Sequence, residues 1–375
     1  MKCVKSILKA VERFILGFKQ KKDVLIVVHN RIMYSYALPV YEALKHDKRL
    51  RVWFCYPWTH LMTQGDFEKI QNECRPRVVS YRIAKYIKWD LIIFPDHQPY
   101  FRKSVTKIYI GHGLEAGKKV GDEHYVFSAR SRHNNEWIYQ KIFVSSEFFR
   151  EKVKIHYPDF LPLIRVTGNF LLDEMKKMTH KEDGVLEGTI FDKKKKTVMI
   201  VSSWGPHSLI QTQCEALLGK LEVLARDYNL ILSIHLNNYN PKHSPQFCFD
   251  EIFNKLVVKN VHVIKRGESP IKWLGAADLL ITDFTSTSLY FTVLGRPVIY
   301  YDNPALDFDA VSLILELRKI TLNISDLSVI EQDIPKAFRD FNPEKMRELA
   351  SKIDGSLGTA LERYKYEIYE SLGMN

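Results

Sequence analysis

Ile281-Thr-Asp-Phe-Thr-Ser-Thr-Ser-Leu-Tyr-Phe-Thr-Val-Leu-Gly-Arg-Pro-Val-Ile-Tyr-Tyr301 reads as one β-α-β unit. Its first residues close the apolar run Asp278–Thr282, a strand of the kind buried on both faces. Four hydroxyl residues in a row, Thr285 to Ser288, open a helix read over Ser288–Leu294. Gly295 ends the helix, and Arg296-Pro297 leads into a second apolar strand, Pro297–Tyr301. Two apolar strands joined by a helix imply a parallel sheet covered on both sides.

Outward from this unit the same texture repeats. Upstream lie the strands Thr197–Ser202, Asn229–His235 and Val261–Ile264, with helices over Leu209–Tyr228, Phe249–Leu256 and Ile271–Ala276. Downstream, helices fit Ile330–Phe341 and Pro343–Ile353. An earlier series holds Asp23–His29, Leu50–Tyr56, Val78–Tyr81, Asp90–Phe94, Lys107–Gly111, Lys141–Ser145 and Ile164–Thr167, with a first helix across Leu38–Lys45. Between the two series, Lys176–Lys196 is polar and highly charged. The expectation is an α/β chain of two Rossmann-like domains with parallel sheets, over 21–175 and 190–345. A ligand cleft lies between them, and a final helix is read over 346–375.

Composition narrows the partners. Lys and Arg total 55 against 44 Asp and Glu, a net charge of +11. The excess points to an anionic partner such as a phosphorylated substrate or an acidic lipid. No nucleic-acid module is recognisable, so nucleic acid is not expected. Cys3, Cys55, Cys74, Cys214 and Cys248 are scattered and form no CxxC pair, so neither a disulfide framework, nor a zinc site, nor any other metal or cofactor is expected, and the chain reads as cytosolic.

Residues 1–20 form a basic amphipathic helix pattern. Val4, Ile7, Leu8, Val11, Phe14, Ile15 and Phe18 recur at helical spacing among Lys2, Lys5, Lys9, Arg13 and Lys19. It is too short and too charged to span a bilayer. It either lies on an anionic membrane surface or packs on the protein's own core.

Several residues carry chemistry at strand ends. His112 stands between Gly111 and Gly113, where the chain can turn sharply and a ligand can approach closely. A histidine with an ordinary pKa of about 6.5 can accept a hydroxyl proton at neutral pH, or simply bond a loop carbonyl. His235 ends a strand of the second domain and can donate to a phosphate oxygen, or sit in solvent. Ser203 and Trp204 precede the turn residues Gly205-Pro206 and can line a nucleotide base, or pack. Lys118 and Lys119 are phosphate-binding candidates, and His29 and Asn30 candidates for an acceptor site. Asp96-His97 closes the fourth strand; two residues do not make a metal site, so the pair reads as structural or as a support behind the reacting groups.

Five stretches, in order, are similar to the CDP-glycerol glycerophosphotransferase family. Ile110-Gly-His-Gly-Leu-Glu-Ala-Gly-Lys-Lys-Val-Gly121 resembles its WHGTPLKKIG segment. Val166-Thr-Gly-Asn-Phe-Leu-Leu-Asp173 resembles TGYPRND, and Val201-Ser-Ser-Trp-Gly-Pro-His207 resembles APTW, with Leu232-Ser-Ile-His235 following. The opening stretch resembles the family's TDYSS and Lys-Pro signature. Departures fall at Leu114, Glu115, Leu236, Phe284 and Thr285.

The resemblance implies a GT-B-type fold and transfer of a glycerol-phosphate or related polyol-phosphate group from a CDP-activated donor. It implies a lipid-linked saccharide acceptor at the cytoplasmic face of the membrane, where the enzyme sits peripherally. His112 would be the general base and His235 a phosphate ligand. Ser203, Trp204, Asp283, Thr285, Ser286, Thr287 and Arg296 would hold the donor. Gly113, Lys118, Lys119, His29 and Asn30 would face the acceptor. A UDP- or CMP-sugar glycosyltransferase or epimerase of the same fold is the alternative. A non-catalytic membrane-surface or nucleic-acid-binding protein rests on net charge alone.

Overall fold

The computed structural model describes residues 21–56, 68, 76–97, 101, 105–117, 119–134, 136–178, 191–266, 268–356 and 358–374. The basic segment 1–20, Lys118 and most of the charged junction lie outside the described residues.

The first series forms β1 Lys22–Val27, β2 Leu50–Tyr56, β3 Arg77–Ser80, β4 Leu91–Phe94, β5 Thr106–Tyr109, β6 Lys141–Val144 and β7 Ile164–Val166. They make one seven-stranded sheet in the order β7-β6-β5-β4-β1-β2-β3, every pair parallel. The second series forms β8 Lys196–Ser202, β9 Tyr228–Ile234, β10 Val261–Val263, β11 Leu279–Thr282, β12 Val298–Tyr301 and β13 Leu322–Ile324. These make a six-stranded parallel sheet in the order β10-β9-β8-β11-β12-β13. Both sheets have doubly wound order. The chain reverses direction of travel between β1 and β4 in one and between β8 and β11 in the other, and such points open the crevice where ligands bind. The helices that matter below are α1 Arg31–Leu44, α2 Tyr81–Ala84, α3 Phe170–Lys177, α4 Leu209–Asp227, α5 Thr287–Phe291, α6 Pro343–Ile353 and α7 Ala360–Ser371.

Apolar strands behave as their sequence requires: Val24, Leu25, Ile26 and Val28 of the first strand region are fully buried. One apolar cluster runs from Leu25 and Phe94 of the first sheet through Leu289, Tyr290 and Phe291 to Tyr300 of the second, so the two domains share a core.

Three elements differ from expectation. α1 starts seven residues earlier than the pattern predicts, because the Asn30 side chain accepts from the Met33 amide at 2.8 Å and caps it. Pro39, which suits a first turn, sits inside that helix. β13 was not expected; it is a three-residue edge strand, too short to show a period. α6 matches the expected Pro343–Ile353, but the chain then breaks and α7 follows as a separate helix, so 346–375 is not one helix.

α7 packs on the first domain. Tyr364, Ile368 and Leu372 join the cluster of Val24, Ile26 and Phe54. Asp173 of α3 anchors its start, accepting from Ser356 Oγ at 2.6 Å, the Gly358 amide at 3.0 Å and the Ala360 amide at 2.9 Å. Lys141 of β6 donates to the Glu367 carboxylate at 2.6 Å and also pairs with Glu370. At Gly168 (φ +79°) the chain passes so close that an added Cβ would sit 2.0 Å from Ser356 Cβ. Glycine alone meets both conditions.

Candidate functional site

The switch point of the first sheet gathers His29, Asp96 and His112. His29 follows β1, Asp96 follows β4 and His112 follows β5, so parallel topology brings all three to one edge. His29 Nε2 lies 3.2 Å from Asp96 Oδ2, and His112 Nδ1 lies 3.7 Å from Asp96 Oδ1. The Tyr125 hydroxyl and the His97 amide also donate to Oδ1, at 2.9 and 2.8 Å. Burial pushes the Asp96 carboxyl upward, but the charge of His112 and the hydrogen bond and charge of His29 outweigh it and hold the group down at about 2. Asp96 therefore stays ionised between two imidazoles. Asp96 thus stands behind both imidazoles and supplies the charge that holds them.

His112 has a defined tautomer. Its Nδ1 lies 3.0 Å from the Pro95 carbonyl, and a carbonyl can only accept, so Nδ1 carries the proton. In the neutral ring Nε2 is then the basic nitrogen. The His112 side chain is 42 % exposed, which leaves that nitrogen room for a reactant. Tyr36 of α1 meets the ring edge-on, with centroids 6.4 Å apart. Burial pushes the Tyr36 hydroxyl up to about 12, and it bonds Tyr290 of α5. Tyr290 in turn accepts from Asn169 Nδ2 at 3.3 Å. A buried polar chain thus joins the two domains beside His112.

The loop after β5 reaches the second domain directly. Gly111 (φ +69°) turns the chain, and a Cβ added to Gly113 would lie 2.7 Å from Ser286 Oγ. Farther along, the Leu313 amide donates to the Glu115 carbonyl at 3.0 Å, and Ser312 bonds the Ala116 carbonyl. Glu115 Oε1 accepts from the Ser145 amide at 2.7 Å, while its buried Oε2 has no partner among the described residues. Burial raises the Glu115 carboxyl.

On the second domain, Ser286 is half-buried, and no hydrogen bond among the described residues engages its hydroxyl. Thr285 Oγ1 donates to Thr287 Oγ1 at 3.1 Å. Asp283, expected beside the donor, is fully buried, and the protein itself engages both of its carboxylate oxygens. It accepts from the Ser203 amide at 2.8 Å, the Leu209 amide at 2.8 Å and Ser202 Oγ at 2.9 Å. It thereby ties the end of β8, the start of α4 and the end of β11 together; burial raises its carboxyl against those bonds. Trp204 and His235 form a second group at the ends of β8 and β9, rings stacked with centroids 5.9 Å apart. His235 Nδ1 accepts from the Asn237 amide at 3.1 Å, so the proton of the neutral ring is on Nε2. Ser203 Oγ is buried beside them without a partner among the described residues.

Three assignments change. Arg296 sits at the amino end of β12, the wrong edge of the sheet, and its guanidinium donates to the Gly275 and Ala277 carbonyls at 2.7 and 2.5 Å. Asn30 spends its side-chain oxygen on the α1 cap. Lys119 pairs with Asp307 across the domains rather than waiting for a phosphate.

The chain matches no family model and no curated protein by sequence. In structure it is similar to the wall teichoic acid polymerase TagF in a variant soaked with CDPG: 14 % identity, TM-score 0.62, covering 95 % of this chain and 90 % of that one. It is equally similar to S. aureus MnaA with UDP (15 % identity, TM-score 0.64, 94 % and 98 % covered). A third likeness is the UDP-GlcNAc 2-epimerase of Neisseria meningitidis bound to UDP-GlcNAc (15 %, 0.62, 94 % and 100 %). The chain has the GT-B fold. In that fold, two doubly wound domains face each other across their strand ends, which is where Gly113, next to His112, approaches Ser286.

Proposed function

We propose that this protein transfers a glycerol-phosphate or related polyol-phosphate group from a CDP-activated donor to an acceptor hydroxyl. The observation that carries the reading is the approach of Gly113, next to the base His112, to the unengaged Ser286 hydroxyl. It sets a proton acceptor from one domain against phosphate-binding hydroxyls from the other.

His112 Nε2 takes the acceptor's proton, and the Asp96 carboxylate stabilises the imidazolium that forms. The acceptor oxygen bonds to the β-phosphorus as the bond from that phosphorus to the CMP oxygen breaks. CMP leaves with the electron pair. Ser286, Thr285, Thr287 and His235 Nε2–H donate to the phosphates; positioning and charge neutralisation dominate such transfers. Trp204 flanks the nucleotide. The basic segment 1–20 supports a lipid-linked saccharide acceptor at the cytoplasmic membrane face, with the enzyme peripheral. No helix among the described residues is long and apolar enough to cross a membrane.

The test incubates the full chain with CDP- and UDP-activated donors and a membrane extract, and identifies the released nucleotide by mass. CMP release is expected, and His112→Ala is expected to lower it by roughly 10²–10⁴-fold with donor binding intact. UDP release alone removes the reading.

A second reading, UDP-sugar epimerisation, has its own support. The chain shares its fold with the UDP-GlcNAc 2-epimerase bound to UDP-GlcNAc, and the loop after His112 carries Glu115, a carboxyl raised by burial and a candidate for moving a proton at carbon. That reaction takes up solvent deuterium at a sugar carbon without any acceptor; phosphoryl transfer does not.

A further inference from the structure

The crossover from β3 to β4 plays no part in the site just described. From Arg77 to Trp89 the sequence holds Arg77, Arg82, Lys85 and Lys88 and no acidic residue. Its inner side is fixed. Ala84 is fully buried, Trp89 nearly so, and Trp89 Nε1 donates to the Ala84 carbonyl at 2.9 Å. Its outer side carries Ile83, 58 % exposed, and Tyr86, 76 % exposed, one turn apart. A single exposed apolar residue needs no explanation. Two of them on one rigid turn, set among cations with no acid, form the pattern of an interfacial membrane contact.

Placement adds a second argument. The Asp90 amide donates to the Asp23 carbonyl at 3.0 Å, so this crossover ends beside the start of β1. That is the point where the basic segment 1–20 enters the fold.

We propose that this face rests on an anionic lipid surface. Ile83 and Tyr86 enter at headgroup depth, and Arg82, Lys85 and Lys88 face the lipid phosphates. The proposal does not depend on the reaction assigned above.

The test is co-sedimentation of the full chain with vesicles of phosphatidylcholine alone and of phosphatidylcholine with phosphatidylglycerol. Each basic residue near such a surface contributes roughly fivefold in partitioning, so R82Q/K85Q/K88Q is expected to lose roughly 100-fold on the anionic vesicles. I83S/Y86S is expected to lose roughly tenfold. Lys85 lies over the Tyr81 ring at 4.9 Å, so the melting temperature of each variant is measured alongside and separates lost binding from lost folding. Wild-type partitioning by both variants, with all binding removed by deleting 1–20, overturns the proposal. So does equal binding to both vesicle types. A loss in the variants of binding to single-stranded RNA, with vesicle binding unchanged, assigns the patch to another partner and also overturns it.

Discussion

Replacing Asp96 with Asn is the sharpest probe of the site, because it removes a charge and almost no shape. Oδ1 can keep both of its protein donors, the Tyr125 hydroxyl at 2.9 Å and the His97 amide at 2.8 Å. The new amide nitrogen then faces His29 Nε2, where the carboxylate oxygen stood at 3.2 Å, and forces the other His29 tautomer. The charge itself has a measurable weight. The Asp96 carboxyl is lowered from 3.8 to about 2, and one pKa unit is about 1.4 kcal/mol, so the folded state gains about 2 kcal/mol while the imidazoles beside it carry their charge. The sign follows from the lowered pKa: this stability is present above the unfolded value near 4 and is lost as pH falls toward 2. Asp96→Asn is therefore expected to cost about 2 kcal/mol at pH 5 and about 1 kcal/mol at pH 3, read from urea unfolding at each pH. Turnover is expected to fall further than folding, by roughly 10²–10⁴, since the imidazolium of His112 loses its counter-charge. A stability gap that stays constant from pH 5 to pH 3, or turnover within threefold of wild type, refutes the reasoning.

Two further substitutions probe the close approaches between segments. Gly113→Ala places a Cβ 2.7 Å from Ser286 Oγ and is expected to raise the donor KM roughly tenfold, about 1.4 kcal/mol; in a Ser286→Ala background the same change is expected to cost little, and an equal cost in both backgrounds dismisses the contact. Gly168→Ala meets a positive φ and Ser356 Cβ at 2.0 Å, so it is expected to lower the unfolding free energy by about 2–4 kcal/mol, with partial recovery on adding Ser356→Gly.

The sheets were legible in the sequence because each strand is a short apolar run between polar breaks, and parallel strands buried on both faces leave that trace. β13 was not, since Leu322-Asn323-Ile324 lies at an edge and is only part-buried. His112 and Ser286 were legible from local context: glycines around one, hydroxyls around the other. Asp96 was not, because its importance depends on His29 and His112, 67 and 16 residues away in the chain and joined to it only by sheet order. Arg296 misled for the reverse reason. A motif fixes its place beside a strand but not the end of the sheet it serves, and Arg296 precedes β12 where ligands meet the end of β11.

What separates phosphoryl transfer from epimerisation lies in the first domain, and Glu115 is where the two diverge. Under either proposed reaction the second domain is the one that holds the nucleotide. Transfer needs one base, and His112 Nε2 supplies it; Glu115 then serves only to hold its loop through the Ser145 amide at 2.7 Å and its own carbonyl on Leu313. Proton exchange at carbon needs a second titrating group, and Glu115 Oε2 is buried without a partner among the described residues. Glu115→Gln keeps the oxygen for Ser145 and abolishes titration. An acid whose pKa is raised by burial destabilises the fold as pH rises above its unfolded value, so the variant is expected to be at least as stable as wild type at pH 7 and to gain on it from pH 4 upward. If the protein is a transferase, CMP release stays within about threefold of wild type, since no step passes through this carboxyl. A loss of 10² or more in a variant that melts no lower than wild type moves the proton chemistry onto Glu115, and with it the reaction from phosphorus to carbon.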